Sequence, residues 1–273
     1  MRARKRFAQH FLEPAWVIKL ATAIGLGEED DVVEIGPGRA ALTRPLAARA
    51  RRLLAIEIDR DLAAALEQDR PANVSVVCAD VLDVDLAATV ATWRGAPLGP
   101  AHPVRIVGNL PYNISSPILF RLLALAAATG GVTDATLMLQ KEVADRLVAK
   151  VGTGDYGVLT ILTALRADVS RLLSVPPGAF RPVPRVWSAV VRLTFRPPTI
   201  VLTDEQRLVR MVRAMFTQRR KTLQNALRGF ASETGIEAAA ALARSRIDGR
   251  RRPETLTLAE IGALFEGFAA PGS

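Results

Sequence analysis

The stretch "DDVVEIGPGRAAL", residues 30–42, decides how the rest of the chain is read. Its first half is apolar and β-branched, as in a strand buried on both faces of a sheet. Its second half is a Gly-Pro-Gly turn leading into small helix-forming residues, so a strand hands over to a helix. The alternation recurs. "RLLAIEID" (52–59) reads as a second strand and "RDLAAALEQD" (60–69) as a second helix. "VSVVCAD" (74–80), "VRIVGN" (104–109) and "DATLMLQ" (134–140) read as further strands. "SPILFRLLALAAA" (116–128) and "KEVADRLVAK" (141–150) read as helices, and "GAPLGPAHP" (95–103) ends a looser segment as a loop. Apolar strands interleaved with amphipathic helices predict an α/β fold, a mostly parallel sheet with helices on both faces.

The pattern changes after residue 150. "LTILTALRADVSRLLSV" (159–175) fits helix or strand, "PPGAFRPVPRV" (176–186) is a proline-rich loop, and "SAVVRLTF" (188–195) is a strand. From Asp204 onward only helical patterns occur. The expected boundary lies near Pro198: a catalytic domain over residues 1–198 and a small all-helical domain over 199–273.

The 273 residues carry 36 Lys and Arg against 27 Asp and Glu, a net charge of +9. A polyanionic partner is expected, and the distribution supports it. Arg4, Lys5 and Arg6 lie in an acid-free start, and Arg219, Arg220 and Lys221 in an acid-free run over residues 206–232. These six residues are the candidate contacts to that polyanion. No stretch reaches the roughly 18 uninterrupted apolar residues of a spanning helix, so no membrane partner is expected and the expected location is the cytoplasm. Cys78 is the sole cysteine and there are two histidines, which excludes an internal disulfide and argues against a metal site.

Three strand ends are loaded with polar groups. Gly36 and Gly38 let backbone approach a ligand, and Glu57, about 20 residues on, is placed to bind ribose hydroxyls. Asp80 is suited to accept from an adenine amine. A dinucleotide pyrophosphate needs free N–H groups at a helix start. Pro37 removes one, and Glu34 sits just upstream. S-adenosylmethionine, an adenosine with a cationic sulfonium, suits the setting better.

The fourth strand end is "NLPYN" (109–113). An amine conjugated to a ring is a poor nucleophile, and acceptors on its protons favour the tetrahedral nitrogen that attacks. The Asn109 side-chain oxygen and the Leu110 carbonyl are such acceptors. Pro111 fixes the bend, Tyr112 is suited to stack on an extruded base, and Phe180 is expected to close on its other face.

At these residues the chain resembles the KsgA/RsmA family of ribosomal RNA adenine dimethyltransferases. The likeness runs through "RKRFAQHFL", "EIGPGRAALT", "GNLPYNISSP", "FRPVPRVWSAVVRL", "FTQRRKTLQNAL" and "RPETLTLAEI". It implies a Rossmann-like methyltransferase with a seven-stranded, mostly parallel sheet, its last strand antiparallel, plus a helical domain. It implies S-adenosylmethionine as donor, S-adenosylhomocysteine as product and no metal. It further implies dimethylation of two adjacent adenines near the 3′ end of 16S rRNA in the 30S subunit or its precursor; a monomer is expected because the sequence shows no obvious self-association stripe. The donor contacts it implies are His10, Leu12, Gly36, Glu57, Asp80 and Asn109. His10 stands where the family usually has Asn, and Arg39 where an apolar residue is frequent. Three alternatives remain: an Erm-type enzyme acting on 23S rRNA, an assembly factor whose binding outweighs its methylation, and a nicotinamide dehydrogenase using G-x-G-x-x-A.

Overall fold

The protein is described from a computed structural model, over residues 11–200 and 203–269. These residues form two compact units. One runs to Ala144 and resumes over Asp168–Phe195; the other takes Asp145–Ala167 and the described residues from Arg196 on.

The first unit is built on a seven-stranded sheet. Its strands are β2 (Asp31–Ile35), β3 (Arg52–Glu57), β4 (Val74–Cys78), β5 (Val104–Asn109), β6 (Val132–Gln140), β7 (Ala167–Val175) and β9 (Ser188–Phe195), in the order β4-β3-β2-β5-β6-β9-β7. Neighbours from β4 through β6 pair in parallel, and β9 runs antiparallel to β6. This is the mixed sheet expected. A separate short pair joins β1 (Phe11–Leu12) to β8 (Phe180–Arg181), with Leu12 opposite Phe180. Helices α1 (Pro14–Ile24), α2 (Thr43–Ala47), α3 (Arg60–Gln68), α4 (Leu86–Arg94) and α5 (Ser115–Thr129) connect the strands, and α6 (Lys141–Leu147) follows β6. Among the described residues no helix is long and apolar enough to cross a membrane.

The amino-terminal edge of the parallel strands is fixed by charge. At the amino end of β2, buried Asp31 accepts from Arg51 and Arg52 at 2.9 and 3.1 Å and pairs with the Arg94 guanidinium at 2.9 Å. Burial alone would raise its pKa, but the Arg51 and Arg52 contacts outweigh this and hold it below the usual value. Near the end of α1, Arg105 of β5 donates to the carbonyls of Ile24 and Gly25, and Arg192 of β9 to those of Ala23 and Ile24. The last carbonyls of a helix have no partners within it, so cations there satisfy them and complement the helix dipole.

Local chemistry explains where the expected elements shift. The helix read from Ala40 onward starts only at Thr43 and is five residues long. Gly36, Gly38 and Ala40 all have positive φ, so the chain turns through left-handed positions before it can coil. The looser segment after Asp80 contains α4, whose N-cap Asp85 accepts from the Ala88 N–H. The ambiguous run 159–175 divides into α7 (Val158–Ala164) and then β7.

The second unit holds α7 with α8 (Glu205–Thr217), α9 (Leu223–Ala226), α10 (Arg228–Thr234), α11 (Ala238–Arg244) and α12 (Leu258–Gly267). The segment Asp145–Ala167 lies before the sequence boundary near Pro198, yet it clusters with these helices. Long-range bonds account for this. The buried Tyr156 hydroxyl donates to the Leu256 carbonyl at 2.8 Å, and Gly152 N–H to the Glu254 carbonyl at 2.8 Å. Arg196 N–H donates to the Arg166 carbonyl at 2.8 Å. An edge-on Phe230–Phe268 pair, centroids 5.0 Å apart, and a Thr257/Glu260 capping box complete the core and the last helix.

Candidate active site

The carboxyl ends of β2, β3, β4 and β5 open onto one cavity in the first unit. Gly36, Glu57, Asp80 and Asn109 all line it, with Leu110, Pro111 and Tyr112. The four loaded strand ends of the sequence are thus neighbours in space, because β4-β3-β2-β5 is a continuous parallel set. Leu12 lines the cavity from β1. His10, Arg4, Lys5 and Arg6 lie outside the described residues.

Each polar group has a defined setting. Glu57 is buried; its Oε2 accepts from Gly38 N–H and its Oε1 from Asp59 N–H, both at 2.9 Å. Burial raises its pKa, while those two donors oppose the shift. Asp80 Oδ1 accepts from Leu82 N–H at 2.8 Å. Ionised carboxylate oxygens accept more than one bond, so both acids retain capacity for a ligand. The N–H of Leu110 donates to the Met138 carbonyl at 3.2 Å, which seats the "NLPYN" bend on β6. Ile114 N–H donates to the Pro111 carbonyl at 3.2 Å, closing the turn. The Tyr112 hydroxyl and Ser188 Oγ are 2.7 Å apart, so the ring is tied to the first residue of β9. Burial pushes the Tyr112 hydroxyl's pKa up, against that hydrogen bond.

Phe180 is placed elsewhere. It is 1% exposed, packs in the core that includes Val17, Leu20 and Ala21, and is not among the residues lining the cavity. Its pairing with Leu12 in the β1–β8 ribbon holds it there. In the second unit, Arg219 donates to the carbonyls of Gly154 and Thr153, whereas Arg220 and Lys221 stand exposed.

The sequence reading gives Glu34 no contact role, and Gly108 and Ser188 none at all. Glu34 is 2% exposed, lines the cavity, and its Oε2 has no hydrogen-bond partner. Burial pushes its pKa up to about 7, opposed by the neighbouring Thr43 hydroxyl and helped by the Glu57 charge. A charged residue inside an otherwise apolar strand was the available signal. Gly108 shapes the bend without lining the cavity: a Cβ there would lie 2.7 Å from Leu110 Cδ2 and 3.2 Å from the Ile35 carbonyl oxygen. Only glycine lets β5 lie that close to β2 just before the bend. Ser188 gave no sequence signal.

These groups fit a nucleoside carrying a cationic tail. Acceptors remain on Glu57 and Asp80, apolar Ile58 and Val81 form walls, and the unpartnered oxygen of Glu34 suits a positive charge. Phe11 narrows the mouth, its Cε1 3.4 Å from where a Gly38 Cβ would sit. The Arg39 guanidinium lies over the Phe11 ring, 4.1 Å from its centroid. Among the described residues no cluster of His, Cys, Asp and Glu is arranged to hold a metal ion.

Comparison with known proteins gives the family. A family profile described as "Ribosomal RNA adenine dimethylase" covers residues 1–266. The chain belongs to the ribosomal RNA adenine dimethylase family. It is a methyltransferase of that family, and its relatives align end to end. The ribosomal RNA small subunit methyltransferase A of Acinetobacter baylyi is 44% identical over 97% of this chain and 92% of its own. That of Geobacter sulfurreducens is 42% identical over 100% and 97%. Among solved structures, a dimethyladenosine transferase from Plasmodium falciparum superposes with TM-score 0.74 at 23% identity, covering 93% of this chain and 96% of its own, which supports the Rossmann-like fold. The 23S rRNA methyltransferase ErmE superposes with TM-score 0.66 at 30% identity, covering 94% and 99%. The residues matched by the family profile include all four strand ends that line the cavity.

Proposed function

We propose that this dimethylase transfers methyl groups from S-adenosylmethionine to the N6 amines of two adjacent adenosines near the 3′ end of 16S rRNA, acting as a monomer on the 30S subunit or its precursor in the cytoplasm. The observation that carries the reading is the convergence of Gly36, Glu57, Asp80 and Asn109 on one cavity with Tyr112 at its edge. Relatives above 40% identity named small subunit methyltransferase A favour the small-subunit substrate.

When bound, S-adenosylmethionine supplies an electrophilic methyl group on a sulfonium. The residues of this chain hold and orient. Glu57 accepts from the ribose hydroxyls while bracing the Gly-rich turn through Gly38. Asp80 accepts from the donor's adenine amine, and Glu34 offers its free oxygen to the cationic tail. Asn109 Oδ1 and the Leu110 carbonyl accept from the two N6 protons of the target, which draws the nitrogen lone pair out of conjugation. Tyr112, held by Ser188, stacks on the target base. No strong general base is assigned, because the nitrogen sheds its proton readily once it bears the methyl. Positioning and fixed dipoles account for the acceleration. Arg220 and Lys221 contact phosphate, and so do the amino-terminal Arg4, Lys5 and Arg6; Arg219, next to Arg220, is held by the carbonyls of Gly154 and Thr153.

The test offers labelled donor with immature 30S particles and with 23S RNA in separate reactions. Incorporation into the 30S particles at two adjacent adenines is expected. Incorporation into 23S RNA alone would favour the second reading, an Erm-type activity, which the likeness to ErmE motivates.

A further inference from the structure

The loop "RPVPRVW", residues 181–187, is the part of the first unit whose surface the donor and target sites leave unexplained. Val183 is 55% exposed, Val186 42% and Trp187 49%. Three large apolar side chains in five residues, one an indole, make a concentrated exposed patch. Its electrostatic setting is one-sided. No acid occurs between Asp168 and Asp204, and Arg181 and Arg185 flank the prolines. Arg181 pairs with Glu13 at 3.3 Å and donates to the carbonyls of Gly178 and Phe180. Arg185 is exposed and has no hydrogen-bond or ion-pair partner among the described residues.

The patch is joined to the active site by backbone and by one hydrogen bond. The Trp187 carbonyl accepts from Lys141 N–H at 2.8 Å, immediately past the end of β6. The next residue, Ser188, bonds the Tyr112 hydroxyl at 2.7 Å and pairs with Gln140. Trp187 therefore stands one residue, about 3.8 Å of chain, from the group that holds the base-stacking tyrosine. Pro182 and Pro184 restrict the loop, so little freedom is lost when it is engaged. An exposed aromatic beside unpaired guanidinium, with no acid near in sequence, matches the chemistry of unpaired nucleotides: a base face for the ring and a phosphate for the cation.

We propose that residues 181–187 form a second RNA contact, in which the Trp187 indole stacks on an unpaired nucleotide adjoining the target adenosine and Arg185 meets its phosphate. The proposal rests on the RNA methyltransferase reading above and adds a substrate subsite to it. Extruding a target base leaves its neighbour unstacked, and a fixed aromatic face replaces the stacking it has lost.

The experiment uses the full chain with Trp187→Ala, Trp187→Phe and Arg185→Ala. Steady-state methylation of immature 30S particles is read as KM and kcat, and S-adenosylhomocysteine affinity is read by calorimetry. Indole fluorescence is followed during titration with a single-stranded adenine-containing oligoribonucleotide. Trp187→Ala is expected to raise KM for the particle roughly tenfold, several times more than it lowers kcat. Trp187→Phe is expected to recover most of the loss, with donor affinity unchanged in both. The oligoribonucleotide is expected to quench wild-type fluorescence, and Trp187→Phe to remove that quench. Arg185→Ala is expected to steepen the loss as salt rises less than wild type does, since one phosphate contact is gone. An unchanged KM in Trp187→Ala, with wild type active on 30S particles, overturns the second contact and leaves the function intact. A raised KM on particles without any Trp187-dependent quench assigns the loop to a ribosomal protein and also overturns it. Wild type inactive on all RNA overturns the function reading, and this proposal with it.

Discussion

Glu57 Oε2 lies 2.9 Å from the backbone nitrogen of Gly38, and Oε1 lies the same distance from that of Asp59. One carboxylate thus ties the Gly-rich turn after β2 to the start of α3 while facing the cavity. Glu57→Gln keeps the shape but turns an NH2 towards one of the two N–H groups. The expected loss is about 1–3 kcal/mol of unfolding free energy, read by urea denaturation. S-adenosylhomocysteine affinity is expected to fall at least tenfold by calorimetry. Wild-type affinity in this variant would remove Glu57 from the donor site.

The Tyr112–Ser188 hydrogen bond makes a different forecast. Tyr112→Phe keeps the ring and loses the bond, at about 1 kcal/mol of stability. Tyr112→Ala loses both. Methyl transfer should therefore fall far more in Tyr112→Ala than in Tyr112→Phe. A double-mutant cycle with Ser188→Ala should show coupling of about 0.5–1.5 kcal/mol; strict additivity would mean the bond does not hold the ring.

Glu34 gives the pH dependence. Its folded pKa is raised from 4.5 to about 7. The stability linked to its protonation is full below the unfolded value and is lost as pH rises through about 7. Ligand-free protein is expected to melt at lower temperature as pH climbs across this window, with Glu57 acting in the same sense. Glu34→Gln should flatten that slope. S-adenosylhomocysteine carries an ammonium and favours the ionised carboxylate, so its thermal stabilisation should grow with pH in wild type and much less in Glu34→Gln. A slope that the substitution leaves unaltered would count against the cationic-tail assignment.

Arg39 lies over the Phe11 ring at the mouth of the cavity. A cation–π contact at an exposed site is worth roughly 0.5–1 kcal/mol. Arg39→Leu should weaken donor binding two- to fivefold, chiefly through faster release measured by stopped flow. Tighter binding in that variant would show that the cation hinders rather than holds Phe11.

The parallel core of the fold was legible because each strand is a compact apolar run closed by a polar residue. The same property exposed Gly36, Glu57, Asp80 and Asn109 as a set, since parallel strands bring their carboxyl ends to one edge. What stayed hidden depended on distance in the chain. Nothing local in residues 145–167 announces that Tyr156 reaches Leu256, so the boundary near Pro198 missed that segment's partners. Phe180 read as a base-stacking residue because prolines flank it, whereas its position follows from pairing with Leu12. Glu34 was visible as a charge in an apolar strand, but its missing partner is visible only in three dimensions.

Arg105 and Arg192 hold the end of α1, and Leu20 of that helix lines the cavity, with Phe11 and Leu12 a few residues ahead of it. Inherited variation at Arg192 would therefore masquerade as a defect of the catalytic pocket, although the arginine itself is not among the residues lining it. A genetic screen for cells lacking the RNA modification should recover such alleles beside those of Asn109, and heat should separate the two classes.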